Sequence, residues 1–421
     1  MKVAGIIAEY NPFHNGHAYH ITQTRYISGC SHIIVAMSGH FVQRGETAIF
    51  DKWSRAKMAI LGGADLIVEL PFAFSVRSAQ YFATGGIRLL SSLGVDYLSF
   101  GAEQADLLQL KNAATALEDP QFTQTFYSQM KQGITYAKAL GATIQKQTGL
   151  DKEFISSPNN ILAIEYLRAI YHCASHIKPL AISRVEANYH DTDIRSTIAS
   201  ATAIRRSIAT EHCLNEKVRR AVPSATYNIM SELLDQQKGP VNKGALEIAL
   251  LTKLRTCSLA DIENTPDVSE GIHYKIAAVA LKATSIDHLY SLLKNKRYLY
   301  SRLQRIMAHI IVGTKKSDIA VFDHTGPAYI RVLAFNDKGR ELLHQYKSSC
   351  SLPIVVKTAS LLDSNLRSKE TLTVAQKMLA LDTQASDIFS LGMPSQQWRS
   401  GGWDFFQSPL YIKSCLPVSK Q

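Results

Sequence analysis

The chain predicts an α/β protein built on a Rossmann-like parallel sheet. After the sheet come a mostly helical, basic region and a small α/β subdomain. Three observations carry this. Apolar strand-like runs alternate with helical patterns over the first half of the 421 residues. Polar residues gather just after the strand-like runs. Beyond about residue 210 the pattern turns helical and cationic. Strand–helix alternation implies βαβ units, a parallel sheet and a ligand crevice at the carboxyl ends of its strands. The expected boundaries are 1–210 for the sheet-based domain and 211–421 for the helical plus α/β region.

The elements follow in order. Residues 3–8 form an unbroken apolar run, as a strand buried on both faces requires. Pro12 bars that strand from continuing as a helix, and helical spacing begins only at 18–26. Further strands are predicted over 32–37, 65–70, 97–100 and 179–182. The helices between them are predicted over 52–61, 79–93, 107–117 and 160–172. A helical, basic stretch runs from about 211 to 311. Strands are then expected at 319–322, 329–334 and 353–357, and helices at 338–346 and 371–381. Residues 393–421 have weak periodicity and carry no assignment.

Composition narrows the function classes. Hydrophobic residues make up 46% and charged residues 19%, ordinary values for a globular protein. No apolar run is long enough to span a bilayer, and the chain starts with a strand rather than a signal peptide. The six cysteines (Cys30, Cys173, Cys213, Cys257, Cys350, Cys415) form no CxxC pair, which argues against a zinc ribbon or disulfide scaffold and fits a reducing cytoplasm. Lys and Arg outnumber Asp and Glu by 46 to 35, a net charge of +11 that points to a polyanionic partner.

The most informative segment is Glu9-Tyr10-Asn11-Pro12-Phe13-His14-Asn15-Gly16-His17. It places two histidines where a strand hands over to a helix N-terminus, whose unpaired amides and dipole attract phosphate. Gly16 removes a side chain that would hold a nucleotide base away from the backbone. A packed loop with one core histidine is the competing reading of four such residues. The pattern His-x-Gly-His resembles the nucleotidyltransferase superfamily, which attacks the α-phosphate of ATP and releases pyrophosphate. Ser200-Ala201-Thr202-Ala203-Ile204-Arg205 resembles a degenerate form of a second superfamily element, in which an arginine and hydroxyls hold the outer phosphates; alanine stands at its second serine position.

Landmarks along the whole chain match a narrower family. They include Ile6 to His17, Met37-Ser38-Gly39-His40-Phe41-Val42-Gln43-Arg44-Gly45-Glu46, Asp51 to Ala59, Ala64 to Pro71, Phe100-Gly101-Ala102-Glu103, Ser157 to Ala163, Tyr189-His190-Asp191 and Lys296-Arg297-Tyr298. On these the chain resembles the bacterial tRNA(Met) cytidine acetate ligases. The resemblance implies that ATP and acetate form acetyl-adenylate, and that the acetyl group then passes to the wobble cytidine of elongator tRNA(Met), giving N4-acetylcytidine. It places ATP along Ile7, Ala8, Glu9, Tyr10, Asn11, Pro12, Phe13, His14, Asn15, Gly16, His17 and His20, with Gly101, Asn159, Asn160, Arg184 and Val185. The second superfamily element adds Ser200, Thr202 and Arg205.

The expected roles follow from charge. His14 and His17 are the catalytic pair, stabilising the five-coordinate α-phosphate. Arg184, Arg205 and Mg²⁺ neutralise the pyrophosphate. Arg44, Lys296, Arg297, Arg302 and Arg305 are expected to bind tRNA. Arg55 and Lys57 read as solvated charge on an amphipathic helix, and Asp65 and Glu69 as salt-bridge partners. His190 with Asp191 could orient a loop or a substrate, and Asn160 or Ser157 could simply cap a helix. Two other functions remain open here: an adenylyltransferase acting on a small phosphate ester, and a non-catalytic tRNA-binding protein.

Overall fold

The computed structural model describes residues 1–132, 134, 136–184, 194, 197–211, 213–365, 367 and 371–413. One sheet organises them. Its strands are β1 (Val3–Ala8), β2 (His32–Ser38), β3 (Leu66–Leu70), β4 (Tyr97–Ala102), β5 (Lys178–Ser183), β6 (Ile330–Phe335), β7 (Ile354–Val355) and β8 (Leu410–Tyr411). The order is β5-β4-β1-β2-β3-β6-β7, with β8 also paired to β6. The first five strands are mutually parallel, and β6 runs antiparallel to β3.

Every residue of β2 and β3 is buried, the outcome anticipated for apolar runs covered by helices on both faces. The chain steps outward from β1 through β2 to β3, then returns to the other side of β1 as β4. The connections after β1 and β4 therefore diverge, and a crevice opens between their carboxyl ends. The helix Asn15–Ser28 starts earlier than its apolar spacing implies, because His14 caps it. Asp51 caps Lys52–Leu61 by accepting from the Ser54 amide at 2.9 Å.

Two expectations for the C-terminal half change. Residues 319–322 lie inside the helix Lys316–Thr325, not in a strand. Ile319 and Phe322 are buried while Val321 is exposed, so the run follows the helical period rather than alternation. The strands at 330–335 and 354–355 form, and they extend the edge of the N-terminal sheet instead of making a sheet of their own. Pairing with β6 covers the β3 edge, which would otherwise expose a row of backbone donors and acceptors. The helix expected at 371–381 is Val374–Leu391.

Asp65 and Glu69 do close salt bridges. Arg25 Nη2 meets Asp65 Oδ2 at 2.8 Å. Lys52, fully buried, reaches both oxygens of Glu69 at 2.7 and 2.8 Å and Asp404 Oδ1 at 2.7 Å. Arg331 Nη1 meets the same Asp404 oxygen at 2.6 Å. Burial pushes the Asp404 carboxyl up, but Arg331 and Lys52 outweigh it and hold the group below the usual carboxylate range. The network joins β3, β6, the helix Lys52–Leu61 and the short helix Trp403–Phe406.

Candidate active site

The crevice is a cleft of about 300 Å³, walled by the ends of β1, β4 and β5, the start of the helix Asn15–Ser28, and residues 42–46 and 198–205. His14 is the N-cap, and its Nδ1 accepts the Gly16 amide at 3.1 Å. His17, three residues on, returns its own Nδ1 to the His14 amide at 3.3 Å. This is a capping box made of imidazoles. The two rings stack with centroids 3.7 Å apart. A neutral imidazole that accepts at Nδ1 carries its proton at Nε2. The cap thus selects one tautomer in both rings, and makes both Nε2 atoms donors.

Electrostatics keep both rings neutral. Burial, with Arg184 and Arg205 nearby, pushes His14 down to about 3. Burial, then His14, Arg184 and His20, hold His17 well below its ordinary value. His20, lowered to about 4 chiefly by burial, is occupied elsewhere: its Nε2 lies 2.8 Å from Ser99 Oγ. Gly16 proves necessary for a reason other than base approach. A Cβ there would lie 2.9 Å from His14 Cε1, so the glycine makes room for the capping ring.

Cations brace the cleft from two sides. Arg205 Nη1 crosses from the helix Ala201–Glu211 to the Asn11 carbonyl at 2.8 Å, while Nη2 reaches Thr202 Oγ1 at 3.1 Å. Ser200 Oγ accepts the Ala203 amide at 3.1 Å and so caps that helix. Arg55 is the residue the sequence misjudged. Far from being solvated, it is fully buried. Its Nε donates to the Phe50 carbonyl at 3.1 Å, and its Nη1 to Glu9 at 2.6 Å and Ser38 at 3.2 Å. Its Nη2 donates to the Gly39 carbonyl. One guanidinium therefore ties the loops after β1 and β2 together. Nothing in the amphipathic spacing of 52–61 signals this.

The cleft gathers most of the anticipated residues: Ile7, Ala8, Glu9, Tyr10, Asn11, His14, Gly16, His17, His20, Gly101, Asn159, Arg184, Ser200, Thr202 and Arg205, together with Arg44. Pro12, Phe13, Asn15 and Asn160 do not line it. Phe13 is fully buried. Asn15 is a strut, its Nδ2 donating to the Thr197 and Arg220 carbonyls at 2.8 Å each. Asn160 is also fully buried, its Nδ2 donating to the Phe154 carbonyl at 2.9 Å. The capping role weighed for Asn160 or Ser157 belongs instead to Glu103, whose carboxylate accepts the Asn159 and Asn160 amides at 3.2 and 3.0 Å. Val185, His190 and Asp191 lie outside the described residues.

The sequence reading missed two features of the cleft wall. Glu9 sinks into it, accepting the Gln43 amide at 2.9 Å, and burial raises its carboxyl despite Arg205 and Arg44. Tyr10 adopts a φ of 46°, and its buried hydroxyl makes no hydrogen bond. The cluster expected to bind tRNA is mostly occupied. Arg305 Nε pairs with Asp267 at 2.7 Å, Arg302 Nη2 donates to the Asp267 carbonyl at 2.9 Å, and Arg297 pairs with Glu270 at 2.9 Å. Lys296 is exposed.

Among the described residues no group of three His, Cys, Asp or Glu could hold a metal ion, and no helix is long and apolar enough to cross a membrane.

A family model described as HIGH Nucleotidyl Transferase matches residues 1–402. The chain is 39% identical over 420 residues to the tRNA(Met) cytidine acetate ligase of Halothermothrix orenii, covering 96% of this chain and 98% of that protein. It is 36% identical to the protein of the same name from Acetivibrio thermocellus, covering 97% and 99%. Its structure resembles apo TmcAL of Thermotoga maritima, with a TM-score of 0.90 at 31% identity and coverage of 98% and 100%. The form of that protein bound with alpha-thio ATP gives 0.89 at 30% identity, with the same coverage.

Proposed function

The chain belongs to the tRNA(Met) cytidine acetate ligase family of the HIGH nucleotidyltransferases, and from this premise we infer how its own residues carry out the reaction. It is an ATP-dependent ligase that acetylates a cytidine of tRNA(Met). The carboxylate oxygen of acetate attacks the α-phosphorus, the bond to pyrophosphate breaks, and acetyl-AMP remains. The exocyclic amine of the wobble cytidine then attacks the acetyl carbonyl. The carbon–oxygen bond to AMP breaks and the amine gives up a proton.

One observation carries this reading: the stacked, tautomer-selected imidazole pair at a helix N-terminus. Neutral Nε2–H donors suit an incoming anion, because they stabilise the charge that builds on the α-phosphate without trapping acetate as an ion pair. The pair is fixed before substrate arrives, so little reorganisation accompanies the attack. Arg184 and Arg205 line the same cleft and supply charge for the departing pyrophosphate. Mg²⁺ would enter on the triphosphate and offset its charge. The acetyl step then depends mainly on positioning, since the mixed anhydride is already activated. The wobble base must leave its stack for its amine to reach the adenylate. ATP and tRNA meet in the cytoplasm, where the chain is expected to act.

The test is incubation with ATP and labelled acetate, with and without elongator tRNA(Met). Acetyl-AMP is expected in both cases and acetylcytidine only with tRNA. Pyrophosphate release driven instead by a phosphate ester, or tRNA binding without turnover, would reject this reading.

A further inference from the structure

A second cleft, of about 260 Å³, opens on the far side of the loop that bounds the ATP cleft. Residues 41–47 form a small hairpin, bridged at Phe41 and Thr47 and turned by a Gly45 amide that donates to the Val42 carbonyl at 2.8 Å. Val42, Gln43, Arg44 and Glu46 face the ATP cleft, while Phe41, Gly45, Glu46 and Thr47 face the second. The hairpin is thus a partition, and Glu46 belongs to both sides.

The two clefts have opposite chemistry. Leu246, Leu250, Met307 and Ile311 lay an apolar floor in the second. Its polar lining includes Glu46, Glu247, Asp287 and two tyrosines, Tyr290 and Tyr300, whose rings meet edge to face 4.7 Å apart. Among the described residues no lysine or arginine lines it. Three carboxylates repel phosphate, yet an apolar floor with a tyrosine ring suits a flat, uncharged heterocycle. Carboxylate oxygens accept from exocyclic amines, as Glu and Asp do from the N4 of cytosine. The rim is held in place: Gln304 Nε2 donates to Glu46 Oε1 at 3.0 Å, and the Ile286 amide donates to Glu247 Oε2 at 2.7 Å.

We infer that this cleft receives a nucleobase bearing an exocyclic amine from the same RNA whose wobble cytidine is acetylated. The inference rests on the RNA-acceptor reading above and adds a second base contact to it. A strand laid over the hairpin tip would place the reactive cytidine on the ATP side and a neighbouring base on the other. Arg44, exposed at that tip, is positioned for the intervening phosphate. Sequence choice then comes from the acceptor-lined cleft, since uracil carries no exocyclic amine to offer its carboxylates.

The test uses the full chain, ATP, labelled acetate and tRNA transcripts in which each amine-bearing base beside the modified cytidine is replaced in turn by uridine. Tyr300→Ala and Asp287→Ala should each raise the KM for intact tRNA about tenfold. Both should leave acetyl-AMP formation without RNA unchanged, a readout that also certifies folding. Tyr300→Phe, which keeps the ring, should retain most of the wild-type KM. At one base, replacement by uridine should raise the wild-type KM by a similar factor and add little in the variants. Unchanged KM values in both alanine variants, or RNA and protein effects that simply multiply at every base, would overturn the inference. A wild-type chain that makes no acetyl-AMP would instead sink the reading beneath it.

Discussion

Gly45 and Arg305 meet backbone to backbone: a Cβ built on Gly45 would lie 2.6 Å from the Arg305 amide nitrogen. The glycine has a φ of +88°, so both its conformation and its neighbour exclude a side chain. Through this contact the helix Tyr300–Val312 seats directly on the hairpin that walls the ATP cleft. The basic half of the chain is thereby joined to the chemistry.

Gly45→Ala should separate that contact. The expected cost is about 1–3 kcal/mol of stability, from overpacking and a strained backbone. Acetyl transfer to tRNA should fall more than acetyl-AMP formation, because His14 and His17 are held by the cap of their own helix rather than by the hairpin. Denaturant midpoints and the two partial reactions measured separately check this. Equal loss in both reactions would show that the hairpin also shapes the ATP side.

His17→Ala removes one Nε2–H donor and half of the imidazole capping box. Loss of a single such donor typically lowers the rate about 100-fold or more. Acetyl-AMP formation should drop by that order while tRNA binding changes little. Pyrophosphate release in the absence of RNA is the direct assay, and an unchanged rate would remove His17 from the chemistry.

The buried histidines set an acid limit on stability. His14 is lowered to about 3 and His20 and His309 each to about 4, all chiefly by burial; His17 and His40 are lowered as well. Unfolded, each titrates near 6.5. Between about pH 6.5 and 4 the unfolded chain takes up protons that the folded chain refuses. Stability is therefore fully present above that window and falls as the pH drops through it. Melting temperature should hold from about pH 8 to 7 and decline steadily from about 6.5 to 5. A flat profile over the lower range would mean that these rings are not neutral in the folded state.

Arg55→Met should be among the most damaging single changes. It leaves four backbone carbonyls without their donor, those of Phe50, Glu9, Ser38 and Gly39. A buried acceptor left unsatisfied costs about 1–3 kcal/mol, so several together, partly relieved by relaxation, should cost about 3–5 kcal/mol. Urea unfolding should show a loss of that size, and any folded fraction should bind ATP weakly because the loop after β1 has lost its brace. A loss under about 1 kcal/mol would show that water replaces the guanidinium.

Lys296→Glu and Arg305→Glu should behave differently. Lys296 is exposed, so its reversal should weaken tRNA binding and reduce its salt dependence while leaving the fold intact. Arg305 holds Asp267, whose carboxyl is kept below its usual value against the opposing effect of burial. Its reversal should destabilise the helical region and change both affinity and melting temperature. Similar melting temperatures for the two variants would contradict this division.

The amino-acid sequence by itself determined the parallel sheet, because unbroken apolar runs such as 33–37, alternating with helical periods, are local signals of strands covered on both faces. It also placed His14, Gly16 and His17 at a strand-to-helix turn. Tertiary structure decided what no local period carries. Arg55 sits in a helix pattern that reads as solvated, and nothing in that pattern singles out Lys52, yet both are buried because four backbone carbonyls, and Glu69 with Asp404, converge on them from distant segments. Asn160 turned inward, and Glu103 took the cap, for the same reason. The strands near 330 and 354 joined the first sheet because β3 had an edge to cover, a fact visible only once its neighbours are in place. Hydrophobic period is written along the chain, but the partner of a buried charge depends on what folding brings beside it.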